Sequence, residues 1–69
     1  MKILNIDKKT NTVLLDYNNK DTLVADICGF FYCNGKLYCK VKLPNWCCNG
    51  EEKDICVDNV LEIKIKEQL

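Results

Sequence analysis

The amino-acid sequence predicts a small all-β domain, and three observations carry this prediction. Short runs that alternate apolar and polar residues recur along the chain, and turn-forming pairs such as Asn34-Gly35 separate them. No apolar stripe of useful length repeats with the 3.6-residue period of a helix. The 69 residues suffice for a single domain over 1–69. Its core is marginal, because so short a chain buries only about 60% of its unfolded surface.

Three strands are expected in the first half of the chain. Residues 2–7, 12–17 and 22–32 alternate apolar and polar side chains, and polar turn residues connect these runs. Successive residues of a strand point to opposite faces of a sheet, so one apolar set from each run is expected to face the core. This set is Leu4, Ile6, Val13, Leu15, Tyr17, Leu23, Ala25 and Ile27.

The third and fourth strands, up to Leu43, carry the strongest hairpin signal, and two registers are open. A two-residue turn at Asn34-Gly35 puts Phe30 and Tyr32 on the core face and requires a bulge near Gly29. A three-residue loop, which adds Cys33 to the turn, needs no irregularity and is preferred. The core face then holds Leu23, Ala25, Ile27, Phe31, Leu37, Cys39, Val41 and Leu43. The outer face holds Cys28, Phe30, Tyr32, Tyr38, Lys40 and Lys42, of which the last three point outward in both registers.

The last third of the chain completes the predicted sheet. Pro44 ends the fourth strand, because proline cannot donate a backbone hydrogen bond to a ladder. Leu61, Ile63 and Ile65 alternate with charged residues, which is typical of a strand with one buried face. The remaining predicted elements are a loop over 45–54, a short strand over 55–57, a single helical turn over 57–60 and a last strand over 61–66.

The run from Asp54 to Ile63, DICVDNVLEI, resembles the end of SH3-like barrels. In that family a short strand, a helical turn ending in an Asn-Tyr-Val-like triplet and a last strand follow in this order. Here Asn59-Val60 lacks the aromatic residue of the triplet, and the opening and paired-Trp motifs of the family are missing. The resemblance implies a five- to six-stranded SH3-like barrel with a single helical turn before the last strand. It does not imply a proline-peptide groove. An OB-like barrel competes, but it usually inserts a helix between strands three and four.

Residue types that are absent from the sequence exclude most catalytic sites. Without His or Ser the chain cannot build a Ser-His-Asp triad, a Cys-His pair or a histidine general base. All ten basic residues are Lys and the formal net charge is zero, so long-range attraction to nucleic acid is missing. The chain starts without an apolar leader, and no run reaches the length of a membrane span. We therefore expect no enzyme, no membrane association and a cytoplasmic location.

The six cysteines have three interpretations. As free thiols they behave like small apolar residues, which suits Cys39 and Cys56 between apolar neighbours. A disulfide framework conflicts with a reducing cytosol. A zinc module would use the loop cysteines, and its ligands would be Cys28, Cys33, Cys47 and Cys48. Free thiols without a cofactor are preferred, because no CX2C spacing occurs.

Aromatic and lysine side chains of the outer face and the loop are the candidate partner-binding residues. They are Phe30, Tyr32, Tyr38, Lys40, Lys42 and Trp46. Exposed aromatic residues anchor protein partners, although cross-strand aromatic pairs can also serve only to stabilise a hairpin. We predict a non-catalytic protein-binding module, a monomer or small homo-oligomer. Abundant Lys, Asn and Ile without Arg are typical of AT-rich genomes, which favours a small bacterial or phage regulator or inhibitor of a host macromolecule.

Two other functions remain open at this point. The first is a barrel that binds single-stranded nucleic acid, with bases stacked on the aromatic residues and lysines at the phosphates. The second is the cysteine-ligated zinc module. Salt-dependent affinity distinguishes the first of these from protein binding, because it reports the neutralisation of phosphates.

Overall fold

Five antiparallel strands form one sheet in which each strand pairs with its neighbour in the sequence. The computed structural model describes residues 1–18 and 20–67. The strands are β1 (Lys2–Asp7), β2 (Thr12–Asp16), β3 (Thr22–Cys33), β4 (Lys36–Lys42) and β5 (Glu52–Cys56). The helices are α1 (Asn45–Cys48) and α2 (Asn59–Glu67). The prediction of a mainly β chain is confirmed.

The two outer strands of the sheet do not close it into a barrel. β1 and β5 contact each other, but they form no strand ladder. α2 also contacts β1. The sheet is therefore an open meander of consecutive strands. Within the described residues, no helix has the length and apolar character that a membrane crossing requires.

The core is formed by one face of the sheet together with α2. Its buried side chains are Ile3, Ile6, Val13, Leu15, Leu23, Ala25, Ile27, Leu37, Cys39, Val41, Leu43, Ile55, Val57, Leu61 and Ile65. No polar or charged side chain among the described residues is buried with them. The core predicted for the second to fourth strands is confirmed, with the exceptions of Tyr17 and Phe31, which are exposed.

The first strand contains a bulge that changes which of its residues face the core. The ladder to β2 shifts by one residue between Ile3 and Asn5, which leaves Leu4 as the extra residue. Ile3 and Ile6 are buried and Leu4 is exposed, so the predicted inward position of Leu4 is wrong. An irregular ladder removes the strict alternation from which that position was inferred.

The turn between β3 and β4 has two residues, Asn34 and Gly35, with φ angles of 52° and 77°. Two successive positive φ angles are typical of the type I′ hairpin turn. Cys33 pairs with Lys36, and the ladder shifts between Ile27 and Gly29, so that Cys28 is an extra, bulged residue. The preferred three-residue loop is therefore wrong, and the alternative register with a bulge near Gly29 is the observed one.

The observed register moves three aromatic side chains to new faces. Phe30 pairs with Cys39 and Tyr32 with Leu37, and directly paired residues of antiparallel strands share a face. Phe30 and Tyr32 thus lie on the core side of the sheet and not on the outer side that the sequence predicted. Phe31 pairs with Tyr38 and lies on the outer side, so its predicted place in the core is wrong.

The predicted loop after Pro44 contains the four-residue helix α1. Asn49 ends this helix with a positive φ of 55°, and its backbone N–H donates to the carbonyl of Asn45. Gly50 follows with a φ of 69°, and a Cβ there would clash with the side chain of Asn45. Asn49 and Gly50 thus end the short helix just before β5. This strand begins at Glu52, earlier than the predicted start at residue 55.

The predicted last strand is the helix α2, and the helical turn predicted over 57–60 overlaps with its first turn from Asn59. The Asp58 carboxylate accepts a hydrogen bond of 2.9 Å from the backbone N–H of Leu61, which caps the helix. Leu61 and Ile65 are buried one helical turn apart, whereas Ile63 is 57% exposed. The strand prediction is wrong because Leu61 and Ile65 fit both a period of two and a helical turn.

Candidate functional site

The predicted partner-binding residues occupy three separate places in the structure. Tyr38, Lys40 and Lys42 lie on the outer face of β4, as predicted. Phe30 and Tyr32 lie on the opposite face of the sheet, next to α2. The side chain of Trp46 projects from α1 and is 81% exposed. The single aromatic-lysine surface that the sequence predicted is therefore not formed.

On the outer face, Lys40 and Lys42 each lie opposite a carboxylate. Lys40 pairs with Asp54 and Lys42 pairs with Glu52 across the β4–β5 ladder. Neighbouring opposite charges reduce the positive potential that phosphates would experience. The ring of Tyr38 stacks on that of Phe31, with centroids 5.5 Å apart and planes 13° apart. This stack occupies one face of the Tyr38 ring.

A small groove lies between the end of the β3–β4 hairpin and α2, and we call it the hairpin groove. Its lining is Phe30, Tyr32, Leu37, Glu62, Ile65 and Lys66, and its volume is about 230 Å³. Phe30 and Tyr32 are 39% and 63% exposed. The hydroxyl of Tyr32 donates a 3.2 Å hydrogen bond to a carboxylate oxygen of Glu62, which joins the two walls.

The local sequence explains why this groove forms. β3 has twelve residues, and its last residues extend beyond the buried part of the core. The bulge at Cys28 puts Phe30 and Tyr32 on the core side at the point where the core ends. α2 lies beside them because Leu61 and Ile65 anchor it to the sheet.

Sequence reasoning missed one wall of the hairpin groove. Glu62, Ile65 and Lys66 were expected in a strand, where Glu62 and Lys66 would lie on the face opposite to Ile65. The available signals were a capping residue at Asp58 and the Glu62–Lys66 spacing of four residues, which suits a helix.

A second cleft lies next to α1 and is lined by Cys47, the first of two adjacent cysteines. Its lining is Tyr17, Asn18, Asp21, Thr22, Leu23, Trp46 and Cys47, and its volume is about 310 Å³. The Sγ atoms of Cys47 and Cys48 are 3.1 Å apart, and we call these two residues the thiol pair. The Cys48 thiol also donates to the hydroxyl oxygen of Tyr17 at 3.8 Å. Cys47 is exposed and Cys48 is half-buried.

The surroundings of the thiol pair raise the pKa of Tyr17 and that of Cys47. The hydrogen bond from Cys48 raises the pKa of Tyr17, and the nearby thiols and Glu51 raise it further. Desolvation is the largest cause that raises the pKa of Cys47, followed by its interaction with Cys48. Tyr17 and Cys47 are therefore uncharged at neutral pH.

The cysteines proposed as zinc ligands do not assemble into one site. All six are free thiols, of which Cys28, Cys33 and Cys56 are exposed on the hairpin and β5. No group of three or more His, Cys, Asp or Glu side chains in residues 1–18 and 20–67 is arranged to hold a metal ion. Cys39 lies in the core, where burial raises its pKa to about 11 and the nearby Cys28 contributes.

The hairpin groove is the site whose side chains best suit recognition of another molecule. It offers aromatic and apolar surface at its floor, a carboxylate from Glu62 and an ammonium group from Lys66. Such a combination binds an apolar side chain that has polar neighbours. Comparison of the chain with protein-family models, with curated proteins and with solved structures gives no match.

Proposed function

We propose that the chain is a non-catalytic protein-binding module that receives an apolar side chain of its partner in the hairpin groove. One observation carries the proposal: Phe30 and Tyr32 are on the core side of the sheet and yet remain 39% and 63% exposed. Aromatic residues in this position have apolar surface that the fold itself does not cover. Tyr and other aromatic residues at the centre of an interface supply much of its binding free energy.

Charge supports a protein partner over a nucleic acid. Glu62 lies in the groove with Lys66, and the formal net charge of the chain is zero. On the outer face, Lys40 and Lys42 are opposite carboxylates. A nucleic-acid phosphate backbone would therefore meet balanced charge at the hairpin groove and at the outer face. A protein partner that carries both acidic and basic side chains would find an oppositely charged group for each.

The proposed setting is a small cytoplasmic regulator or inhibitor from a bacterium or phage that covers a host protein. The composition, rich in Lys, Asn and Ile and without Arg, supports this setting. We also retain the SH3-like architecture as a proposal. Five consecutive antiparallel strands and the contact of β1 with β5 support it, although α2 replaces the last strand of that family.

Site-specific photo-cross-linking tests the proposal. A photoreactive phenylalanine analogue is placed at Tyr32 in one protein and at Val24, which is 55% exposed on the outer face, in a control. We expect a protein adduct of discrete mass from position 32 only. Excess unlabelled wild-type protein should suppress this adduct. The double variant Phe30→Ser, Tyr32→Ser should need at least a tenfold higher concentration for the same suppression.

Three outcomes would contradict the proposal. Equal adducts from positions 32 and 24 would mean that the groove is not the binding surface. Equal competition by the double variant would mean that the aromatic side chains do not contribute. Adducts with nucleic acid, formed with an affinity that falls steeply with salt, would support the alternative function instead. Circular dichroism tests whether the double variant is folded. We expect a wild-type spectrum, since both substituted side chains are exposed.

A further inference from the structure

We propose that the thiol pair, with Tyr17 beside it, is a binding site for a trivalent pyramidal metalloid of the arsenite type. This site is independent of the hairpin groove, because α1 and the Tyr17 cleft share no lining residue with it. The donors are the two sulfur atoms of Cys47 and Cys48, 3.1 Å apart. Soft thiolate ligands select ions that form strong bonds to sulfur.

The separation of the two sulfurs decides which ion fits. With a metal–sulfur bond of about 2.3 Å, tetrahedral zinc would hold two thiolates about 3.8 Å apart. At the same bond length, a right-angled arrangement brings the sulfurs to about 3.3 Å. Trivalent arsenic carries a lone pair and forms three bonds at angles close to a right angle. The contact of 3.1 Å between the two free thiols is closer to the right-angled spacing than to the tetrahedral one, which favours arsenic over zinc.

The backbone that carries the pair is held by hydrogen bonds, so the two sulfurs approach each other from fixed Cα positions. Both cysteines lie in α1, which is closed by the hydrogen bond from the Cys48 N–H to the Pro44 carbonyl at 3.0 Å. The Glu51 N–H donates to the Cys48 carbonyl at 3.0 Å. Asn49, which follows Cys48, caps the C-terminal end of the helix. Binding would cost little conformational entropy, since the two donors are already close.

The binding step involves substitution and no redox change. Arsenous acid, As(OH)₃, loses two of its hydroxyl groups as two As–S bonds form to Cys47 and Cys48. The two thiol protons leave with these hydroxides as two molecules of water, and arsenic remains trivalent. Tyr17 lies 3.8 Å from the Cys48 sulfur and can donate to the remaining hydroxyl on arsenic.

Thiol alkylation with and without inorganic arsenite tests the inference in the full chain. Alkylated residues are identified by mass spectrometry, and the fluorescence of Trp46, which is the only Trp, reports binding one residue from the pair. We expect one arsenic per chain, protection of Cys47 and Cys48, and unchanged alkylation of Cys33 and Cys56. Cys47→Ser and Cys48→Ser should each weaken binding at least tenfold, because either change leaves a single sulfur donor.

Cys28→Ser is the matched control, because it removes another exposed cysteine and should leave arsenite binding unchanged. Tyr17→Phe should weaken binding less than either serine variant. Protection spread over all exposed cysteines, undiminished binding by Cys47→Ser, or protection by Zn²⁺ at lower concentration than by arsenite would each overturn the inference. Thermal unfolding of the serine variants, compared with that of Cys28→Ser, verifies that loss of binding is not loss of the fold.

Discussion

Two alanine substitutions in α2 distinguish the helix from the strand that its sequence pattern predicts. A strand over 61–66 would turn Leu61, Ile63 and Ile65 to the same face, so all three would be equally buried. In the helix, Ile65 is 8% exposed and Ile63 is 57% exposed. Ile65→Ala and Ile63→Ala are chemically identical changes two positions apart. Their difference in stability therefore reports the backbone conformation.

The structure gives the size of the expected difference. Ile65→Ala removes three buried carbon atoms, worth about 2.4 kcal/mol at about 0.8 kcal/mol each. Cavity formation adds to this loss, but a helix near the end of the described chain can relax, so we expect about 2–3 kcal/mol. For a chain of this size that lowers Tm by roughly 8–24 °C. Ile63→Ala should change stability by less than about 0.5 kcal/mol, since alanine also favours the helix.

Urea unfolding followed by circular dichroism measures both variants under the same conditions. The slope of the unfolding free energy with urea should be the same for both, so that the midpoints compare directly. Equal and large losses would mean that this segment is a strand. A loss below about 0.5 kcal/mol for Ile65→Ala would mean that α2 does not pack on the sheet.

Three further predictions concern the turn, the helix cap and the buried thiol. Gly35→Ala should cost about 1–2 kcal/mol because the residue has a φ of 77°, whereas Gly29→Ala, with no atom within 4 Å of the added Cβ, should be neutral or slightly stabilising in the same urea assay. Asp58→Ala should cost about 1 kcal/mol through loss of the hydrogen bond to the Leu61 N–H, and Asp58→Asn should retain most of it; equal losses would exclude capping. Cys39 has its pKa raised from 9.0 to about 11, so its contribution to stability is complete below pH 9 and is lost as the pH rises through about 11. Cys39→Val should flatten the alkaline decline of the unfolding free energy, which urea unfolding at several pH values measures. An unchanged decline would mean that other groups cause it.

The parts of the fold that follow from strict alternation could be predicted from the sequence. Val13 and Leu15 in β2, and Leu37 and Val41 in β4, are buried as their spacing indicates. In these strands each residue has one partner across the ladder, so the period of two is preserved. The turn at Asn34-Gly35 was also recognised, although its length was not.

The bulges and the last helix depart from the preferred prediction for different physical reasons. An extra residue such as Leu4 or Cys28 leaves the composition of its strand unchanged and alters only the pairing, which depends on the partner strand. In α2, the apolar positions satisfy two periods at once, and contacts with the sheet decide between them. Both effects fall on the candidate site, since the bulge orients Phe30 and Tyr32 and α2 supplies the facing wall.

The bulge at Cys28 has a consequence for the shape of the hairpin groove that does not depend on any lining side chain. Deletion of this one residue would leave the pair Ile27–Val41 and the pair Gly29–Lys40 intact and would make them consecutive. Every side chain beyond it would keep its face, and only the local bend and twist of the strand would be lost. The direction of the hairpin tip relative to α2 thus depends on this one extra residue. A one-residue deletion would widen or narrow the groove while its chemical lining stayed the same.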